Sequence, residues 1–220
     1  MNHVGFYGKV ACRGDFVSRD LPQTFIQPWD QWLAAGLQAS QRQLGEQWLQ
    51  AYLVSPLWRF VLAPGVCGPQ AVTGVVMPSI DRVGRYFPLT IAQVLDPQTS
   101  LAALVGGRDA WFEDVEAMLL ATLEEGAAFE AFERAIRPYD PDGGLPVSAV
   151  TEPAIGGLQR LGVTTAQARE RALAECACAG MSLWWGRGSE HIAPGLMRYP
   201  GLPRAEHFAA FLTGTEGAGS

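Results

Sequence analysis

The sequence is poor in residues on which several protein classes depend. Lys9 is its only lysine, and the 16 lysines and arginines are outnumbered by 22 acidic residues, for a formal net charge of −6. Affinity for nucleic acid comes largely from clustered basic residues, so a nucleic-acid partner is not expected. The three histidines, His3, His191 and His207, form no metal-binding pair. The sequence therefore predicts neither a nucleic-acid partner nor a metal cofactor.

Cysteines and long apolar runs are also scarce. Four cysteines in 220 residues do not resemble the dense disulfide framework of a small secreted protein, so we expect them to be reduced. Cys176 and Cys178 lie two apart in a helix-like segment, which points their sulfurs to different faces and favours idle thiols over a zinc site. No apolar run approaches bilayer length, and residues 1–9 lack the features of a secretory signal. We therefore expect a cytoplasmic protein without membrane insertion.

The composition is that of an ordinary globular protein, with 48% hydrophobic and 17% charged residues. No repeat and no convincing linker divides the chain. We predict a single domain over residues 1–213 and a frayed tail over residues 214–220.

Strand-like segments dominate the middle of the sequence and recur near its end. Three of them are separated by about ten residues, which is too short for helical crossovers and predicts antiparallel neighbours. A closing hairpin follows near the end of the chain. The predicted strands are residues 4–9, Trp58–Leu62, Val72–Met77, residues 89–95, Met181–Gly186 and residues 195–199.

Helical periodicity precedes and follows the central strands. Asp20 predicts an N-cap for a helix that begins near Leu21, and Pro28 predicts a break in it. Two adjacent amphipathic helices are then expected, the second after Ser40. Its apolar set is Leu44, Trp48, Leu49, Tyr52 and Leu53. Later helices are predicted at residues 109–123, 129–136 and 165–179, with a loop at residues 138–162.

Four tryptophans, Trp29, Trp32, Trp48 and Trp58, allow two interpretations. They could form a stacking or partner-binding surface, but their helical and strand periodicity favours burial in the core.

Catalytic motifs are incomplete. The segment from Asp140 to Gly144 has prolines where a calcium loop needs oxygen ligands, and residues 180–184 have Trp184 where a nucleophile elbow needs glycine. Gly8 and Lys9 lack the remaining residues of a phosphate-binding loop. The sequence therefore predicts a protein that is not an enzyme and has no cofactor.

A dense polar cluster occupies residues 79–86, between two core strands. Arg82 and Arg85 can present planar forks to a carboxylate or phosphate. Asp81 could equally pair with either arginine and brace the loop, so bracing and ligand binding both remain open at this stage. Loops mounted on a sheet commonly carry function.

Three segments together resemble the TagF family, also called ImpM, of type VI secretion accessory proteins. They are residues 5–9 leading to residues 14–17, residues 25–37, and residues 58–68 continuing to residues 78–90. The sequence departs from the family pattern at Phe6, where tryptophan is frequent, and at Ala11, where proline is usual. The resemblance covers about the first 95 residues and depends on the order of its motifs.

The resemblance implies a cytoplasmic protein of the α/β (α+β) class. Its mixed, largely antiparallel sheet would be flanked by helices on both faces as an α/β/α sandwich. The implied function is post-translational restraint of the assembly or firing of the secretion machine, without enzymatic activity. The implied partners are type VI secretion regulatory proteins, including a forkhead-associated scaffold protein.

Three functional hypotheses follow. The leading one is a negative regulator that acts by protein–protein interaction. Its candidate partner-binding or family-motif residues are Arg13, Gly14, Asp15, Ser79, Asp81, Arg82, Gly84, Arg85 and Tyr86. The second is an anion or phosphopeptide sensor that uses Arg82 and Arg85. The weakest is a hydrolase that uses Asp15, Ser79 or Asp81.

Overall fold

The computed structural model describes residues 4–136 and 165–214. The strands are β1 (Val4–Gly8), β2 (Val17–Arg19), β3 (Trp58–Leu62), β4 (Val72–Met77), β5 (Leu89–Val94), β6 (Met181–Gly186) and β7 (Gly195–Pro200). The helices are α1 (Gln23–Leu44), α2 (Trp48–Val54), α3 (Leu101–Gly107), α4 (Asp109–Ala121), α5 (Phe129–Ile136), α6 (Ala166–Cys178) and α7 (Phe208–Thr213). None of the helices in these ranges is long and apolar enough to cross a membrane.

The described strands form one sheet in the order β2-β1-β5-β4-β3-β6-β7, and every neighbouring pair of strands is antiparallel. Strands β3, β4 and β5 are successive neighbours, which confirms the predicted meander. Phe60 of β3 lies opposite Trp184 of β6, so the closing hairpin extends one side of the sheet. Strands β1 and β2 extend the other side.

Helices cover both faces of the sheet, as predicted. Side chains alternate along each strand, so Phe60 and Ala92 face α1, α2 and α7, whereas Val75 and Ile91 face α4 and α5. A third group of buried residues lies under α3 and α6. The α+β fold class and its sandwich of helices around the sheet are therefore confirmed.

The tryptophans at positions 29, 32, 48 and 58 lie in the core between α1, α2, α7 and the sheet. Trp29 stacks on Phe25 and donates a 3.0 Å hydrogen bond from its indole Nε1 to Oγ1 of Thr90. The indole of Trp58 donates to the carbonyl oxygen of Phe211 at 3.0 Å, which fastens α7 to the sheet. The interpretation as core residues is confirmed.

The predicted break at Pro28 is wrong, because α1 runs without interruption from Gln23 to Leu44. Proline costs an interior helix about 3 kcal/mol through one lost hydrogen bond and a steric clash. Phe25 and Trp29, on either side of Pro28, are buried. Because tertiary packing supplies most helical stability in proteins, this burial offsets the cost of the proline.

The predicted start of α1 also needs correction. Asp20 has a positive φ of 55° and does not cap the helix; Pro22 occupies the N-cap position, without a side-chain cap. At the other end, Gly45 has φ 51° and ends α1. The second helix therefore begins only at Trp48, after a 3₁₀ turn over Gly45–Gln47.

Parts of the sequence prediction lie outside the described residues. These are the loop predicted at residues 138–162 and residues 215–220 of the predicted tail. The single domain over residues 1–213 stays a prediction.

Candidate interaction site

The polar cluster predicted at residues 79–86 lies on the connection between β4 and β5. These strands are antiparallel neighbours, with Met77 opposite Leu89, so both ends of the connection are fixed by the sheet. Within it Ile80 and Tyr86 form an isolated antiparallel bridge. Gly84 completes the turn with φ 87°, in the left-handed region that favours glycine.

The carboxylate of Asp81 is the centre of this loop. It accepts hydrogen bonds from Nζ of Lys9 at 2.8 Å, from Nε of Arg85 at 2.7 Å, and from the backbone N–H groups of Val83 and Arg85 at 3.0 and 2.9 Å. Burial raises the pKa of the Asp81 carboxyl group, but these four donors outweigh burial and hold its pKa well below the ordinary value. Asp81 is therefore a structural anion that fixes the loop conformation.

The loop is hydrogen-bonded to the segment that follows β1, residues 9–16. Oγ of Ser79 donates to the carbonyl oxygen of Lys9 at 2.8 Å, and the N–H of Arg82 donates to that of Arg13 at 2.9 Å. The guanidinium group of Arg85 donates to the carbonyl oxygen of Gly14. Two segments about 70 residues apart in sequence thus form one hydrogen-bonded unit, here called the interaction site (residues 9–16 and 79–86).

Two helices support this unit from opposite layers. The hydroxyl group of Tyr52 in α2 donates to the carbonyl oxygen of Ser79 and accepts from its N–H, both at 2.9 Å. On the other side, Arg13 lies over the ring of Phe129 in α5, 4.7 Å from its centroid, and its Nη2 is 2.5 Å from Oε1 of Glu130.

The exposed surface of the unit combines charge with apolar area. Phe16 is 48% exposed and Val83 is 64% exposed. The side chains of Asp15 and Arg82 are exposed, and neither forms an ion pair or hydrogen bond with the described residues. The exposed surface of the unit thus presents two apolar and two charged side chains.

The structure brings all the predicted site residues into two contacting segments but gives them different roles. Ser79, Asp81, Gly84 and Arg85 hold the loop together, and Tyr86 packs on α2. In the turn, the carbonyl oxygens of Arg13 and Gly14 accept hydrogen bonds from Arg82 and Arg85 of the loop. Asp15 follows them in sequence with an exposed side chain. Asp81 and Arg85 thus stabilise the loop from within. The side chain of Arg82 forms no hydrogen bond or ion pair with the described residues.

Sequence reasoning missed three residues of the site. Lys9 is buried and supplies the principal cation for Asp81. Its position as the only lysine, at the end of an apolar strand, was the one available signal. Phe16 and Val83 gave no signal, since an apolar residue in a turn is not distinguishable from a core residue by type.

Two of the candidate catalytic groups are already engaged in hydrogen bonds. Asp81 is saturated with donors, and Oγ of Ser79 donates to a backbone carbonyl oxygen. Ser182, from the incomplete nucleophile-elbow pattern, is buried in β6. Within residues 4–136 and 165–214, no group of three or more His, Cys, Asp or Glu side chains is placed to hold a metal ion.

Comparisons with known proteins agree with the earlier resemblance. Residues 5–138 match the family model described as the TagF N-terminal domain, type VI secretion system-associated. The structure is similar to the crystal structure of PA0076 from Pseudomonas aeruginosa PAO1, with a TM-score of 0.90 and 58% sequence identity over 96% of this chain and 94% of that chain. The comparison with curated proteins gave no match. Both segments of the interaction site lie within the matched residues 5–138.

Proposed function

The chain belongs to the family of type VI secretion system-associated TagF N-terminal domains, and from this membership we propose that it is a post-translational, negative regulator of the secretion system. It would restrain assembly or firing by binding another protein, in the cytoplasm and without catalysis. Family membership supports the link to the secretion system, and the interaction site supports the mode of action.

The observation that carries the proposal is the contrast between the interior and the exterior of the interaction site. Inside, the Asp81 carboxylate is held by four donors, so the loop is preorganised. Outside, Phe16, Val83 and Arg82 are exposed on that fixed base. Preorganised loops lose little conformational entropy when they bind, which favours use as a recognition surface.

The proposed partner is a type VI secretion regulatory protein, and a forkhead-associated scaffold protein is the first candidate to test. Its surface should offer a carboxylate to Arg82, a cation to Asp15, and apolar side chains to Phe16 and Val83.

The sensor hypothesis receives less support. Anion capture by two forks needs the guanidinium groups of Arg82 and Arg85 together, but Arg85 already donates to Asp81 and Gly14. Calorimetric titration with phosphothreonine peptides tests it, and heat that disappears in Arg82→Ala would favour the sensor over the regulator. The hydrolase hypothesis would use Asp15, Ser79 or Asp81. The depressed pKa of Asp81 opposes its use as a general base, and Oγ of Ser79 already donates to the carbonyl oxygen of Lys9.

The test of the proposal combines genetics with crosslinking. Deleting the gene should raise secretion activity in the native host, and the wild-type gene should restore restraint. A photo-crosslinking amino acid at position 83 should capture a type VI secretion regulatory protein that mass spectrometry identifies. The same probe at Leu173, an apolar residue of α6 that is 68% exposed, is the matched control. Unchanged secretion after deletion, or identical products at positions 83 and 173, would refute the proposal.

A further inference from the structure

Two exposed charges of opposite sign in the interaction site have no counter-charge within the chain. The side chains of Asp15 and Arg82 are exposed and form no ion pair or hydrogen bond with any residue that the structure describes. The other charged side chains of the site are paired. The pairs are Lys9 with Asp81, Arg85 with Asp81, and Arg13 with Glu130. The site therefore presents one anion and one cation to another molecule.

These two charges belong to the same patch of surface. The N–H of Arg82 donates to the carbonyl oxygen of Arg13 at 2.9 Å. Nη2 of Arg82 lies 3.8 Å from the position that a Cβ atom would take on Gly14, the residue before Asp15. The guanidinium group thus lies next to the segment that carries Asp15, although the two side chains do not pair with each other.

An exposed apolar residue follows each of these charges in the sequence. The two residues are Phe16, which is 48% exposed, and Val83, which is 64% exposed. The ring of Phe16 stacks on that of Tyr7 at 5.7 Å and meets that of Phe87 edge-on at 4.8 Å, measured between centroids. Because these contacts hold the ring in place, little conformational entropy is lost when its exposed side is covered.

A patch with this composition is its own complement. In an interface with two-fold symmetry, residue i of one copy contacts residue j of the other, and j contacts i. When Asp15 of one copy meets Arg82 of the second, the same pair forms again on the other side of the symmetry axis. A second copy therefore supplies both counter-charges and the apolar area without any further requirement, whereas an unrelated protein must carry both signs at separate matching positions.

The size of the patch limits the strength of such pairing. The interaction site comprises residues 9–16 and 79–86, which is fewer than the roughly 20–30 residues per side of a standard interface. Interfaces that bury less than about 1,200 Å² in total are typical of weak, transient complexes. Pairing through this patch should therefore depend on protein concentration.

We propose that two copies of the chain pair through their interaction sites, with two-fold symmetry, in a weak dimer. Arg82 of each copy donates to Asp15 of the other, and Phe16 and Val83 are covered at the interface. The pairing itself does not depend on the proposed regulatory function. One consequence rests on that function: the dimer covers the residues proposed to bind the partner protein, so a second copy and the partner compete for one surface.

Sedimentation equilibrium of the full chain, from about 10 µM to about 1 mM, tests the pairing. Wild type should form a dimer within this range. Asp15→Arg and Arg82→Asp should each lose the dimer, because each change places like charges opposite one another at both symmetric contacts. An equal mixture of the two variants should dimerise again, since every contact then joins an arginine to an aspartate.

Two neighbouring residues of α6 provide matched controls. Glu170 and Arg171 are exposed, and neither side chain forms an ion pair with the described residues. Glu170→Arg and Arg171→Asp change the net charge by the same amounts as the two site variants and should dimerise like wild type. Unchanged melting temperatures establish that the four variants are folded. If a reversal at the site lowers the melting temperature, Asp15→Asn and Arg82→Gln replace it and should weaken dimerisation by roughly tenfold.

Several outcomes would overturn the inference. They are a wild-type chain that stays monomeric at about 1 mM, a folded site variant that dimerises like wild type, an equal mixture that stays monomeric, and equal losses in the site and α6 variants. In each case, capture of a type VI secretion regulatory protein from position 83 would leave the proposed function intact. Conversely, a dimer that follows the charge pattern would support the inference even if position 83 captured no such protein.

Discussion

The ammonium group of Lys9 lies 2.8 Å from Oδ2 of Asp81, and the two side chains are only 7% and 0% exposed. This ion pair connects the end of β1 with the β4–β5 loop across 72 residues of sequence. An isolated buried charge is very costly, so each partner requires the other. The interaction site is therefore organised by a residue that never reaches its surface.

Lys9 and Asp81 should behave as a coupled pair when they are substituted. Lys9→Met leaves the Asp81 carboxylate buried with fewer donors and should lower the melting temperature by several degrees. The double variant Lys9→Met, Asp81→Leu should lose less stability than the sum of the losses in Lys9→Met and Asp81→Leu alone, because each single change already breaks the pair. Arg204→Met, which breaks an exposed pair with Glu206, is the control and should change unfolding free energy by less than about 1 kcal/mol. Additive effects of the two single changes would contradict the coupling.

The depressed pKa of Asp81 predicts a pH dependence of definite sign. The native pKa lies below the unfolded value of about 3.9, so ionised Asp81 stabilises the fold fully above that value. The contribution is lost as pH falls through about 3.9 towards the native pKa. The stability difference between wild type and Asp81→Asn should therefore be largest near neutrality and narrow below about pH 4. Urea unfolding between pH 3 and 7 measures it, and a difference independent of pH would count against the assignment.

Alanine substitutions of Arg82 and Arg85 should have different effects: the first should weaken partner binding, and the second should lower stability. Arg82→Ala removes a side chain without a partner in the described structure, so unfolding free energy should change by no more than about 0.5 kcal/mol. Partner capture should nevertheless weaken. Arg85→Ala removes donors to Asp81 and to the carbonyl oxygen of Gly14, and should lower the melting temperature. Thermal unfolding and pull-down of the two variants, side by side, check this. Equal effects on stability would show that Arg82 is a brace as well.

Two glycines should differ in their tolerance of alanine. At Gly84 the added methyl group meets no atom within 4 Å, so the cost is that of the left-handed backbone, about 1–2 kcal/mol. At Gly8, with φ 139°, the methyl group would overlap the backbone of Pro88 as well, so the loss should be larger. Gly106→Ala in α3 is the control, and should gain about 0.5–1 kcal/mol. Equilibrium unfolding in urea ranks the three, and a neutral Gly8→Ala would contradict the close approach.

The sequence predicted most elements because its signals are local. Alternation and length identified Trp58–Leu62 and Val72–Met77 at their observed bounds. Local signals failed where packing outweighed them. Pro28 lies inside α1 because its neighbours are buried, and Leu53 is exposed although it follows the same helical pattern as the buried Tyr52.

The sequence by itself determined the family, the antiparallel meander and the cluster of polar residues between β4 and β5, since order and spacing along the chain suffice for each. Only the tertiary structure decided which of those polar residues brace the loop and which face outwards. Lys9 and Asp81 meet because β1 and β5 pair in one register, and that pairing depends on contacts between residues far apart in sequence. Arg82 and Arg85 look alike in sequence, and only their surroundings in the fold distinguish them.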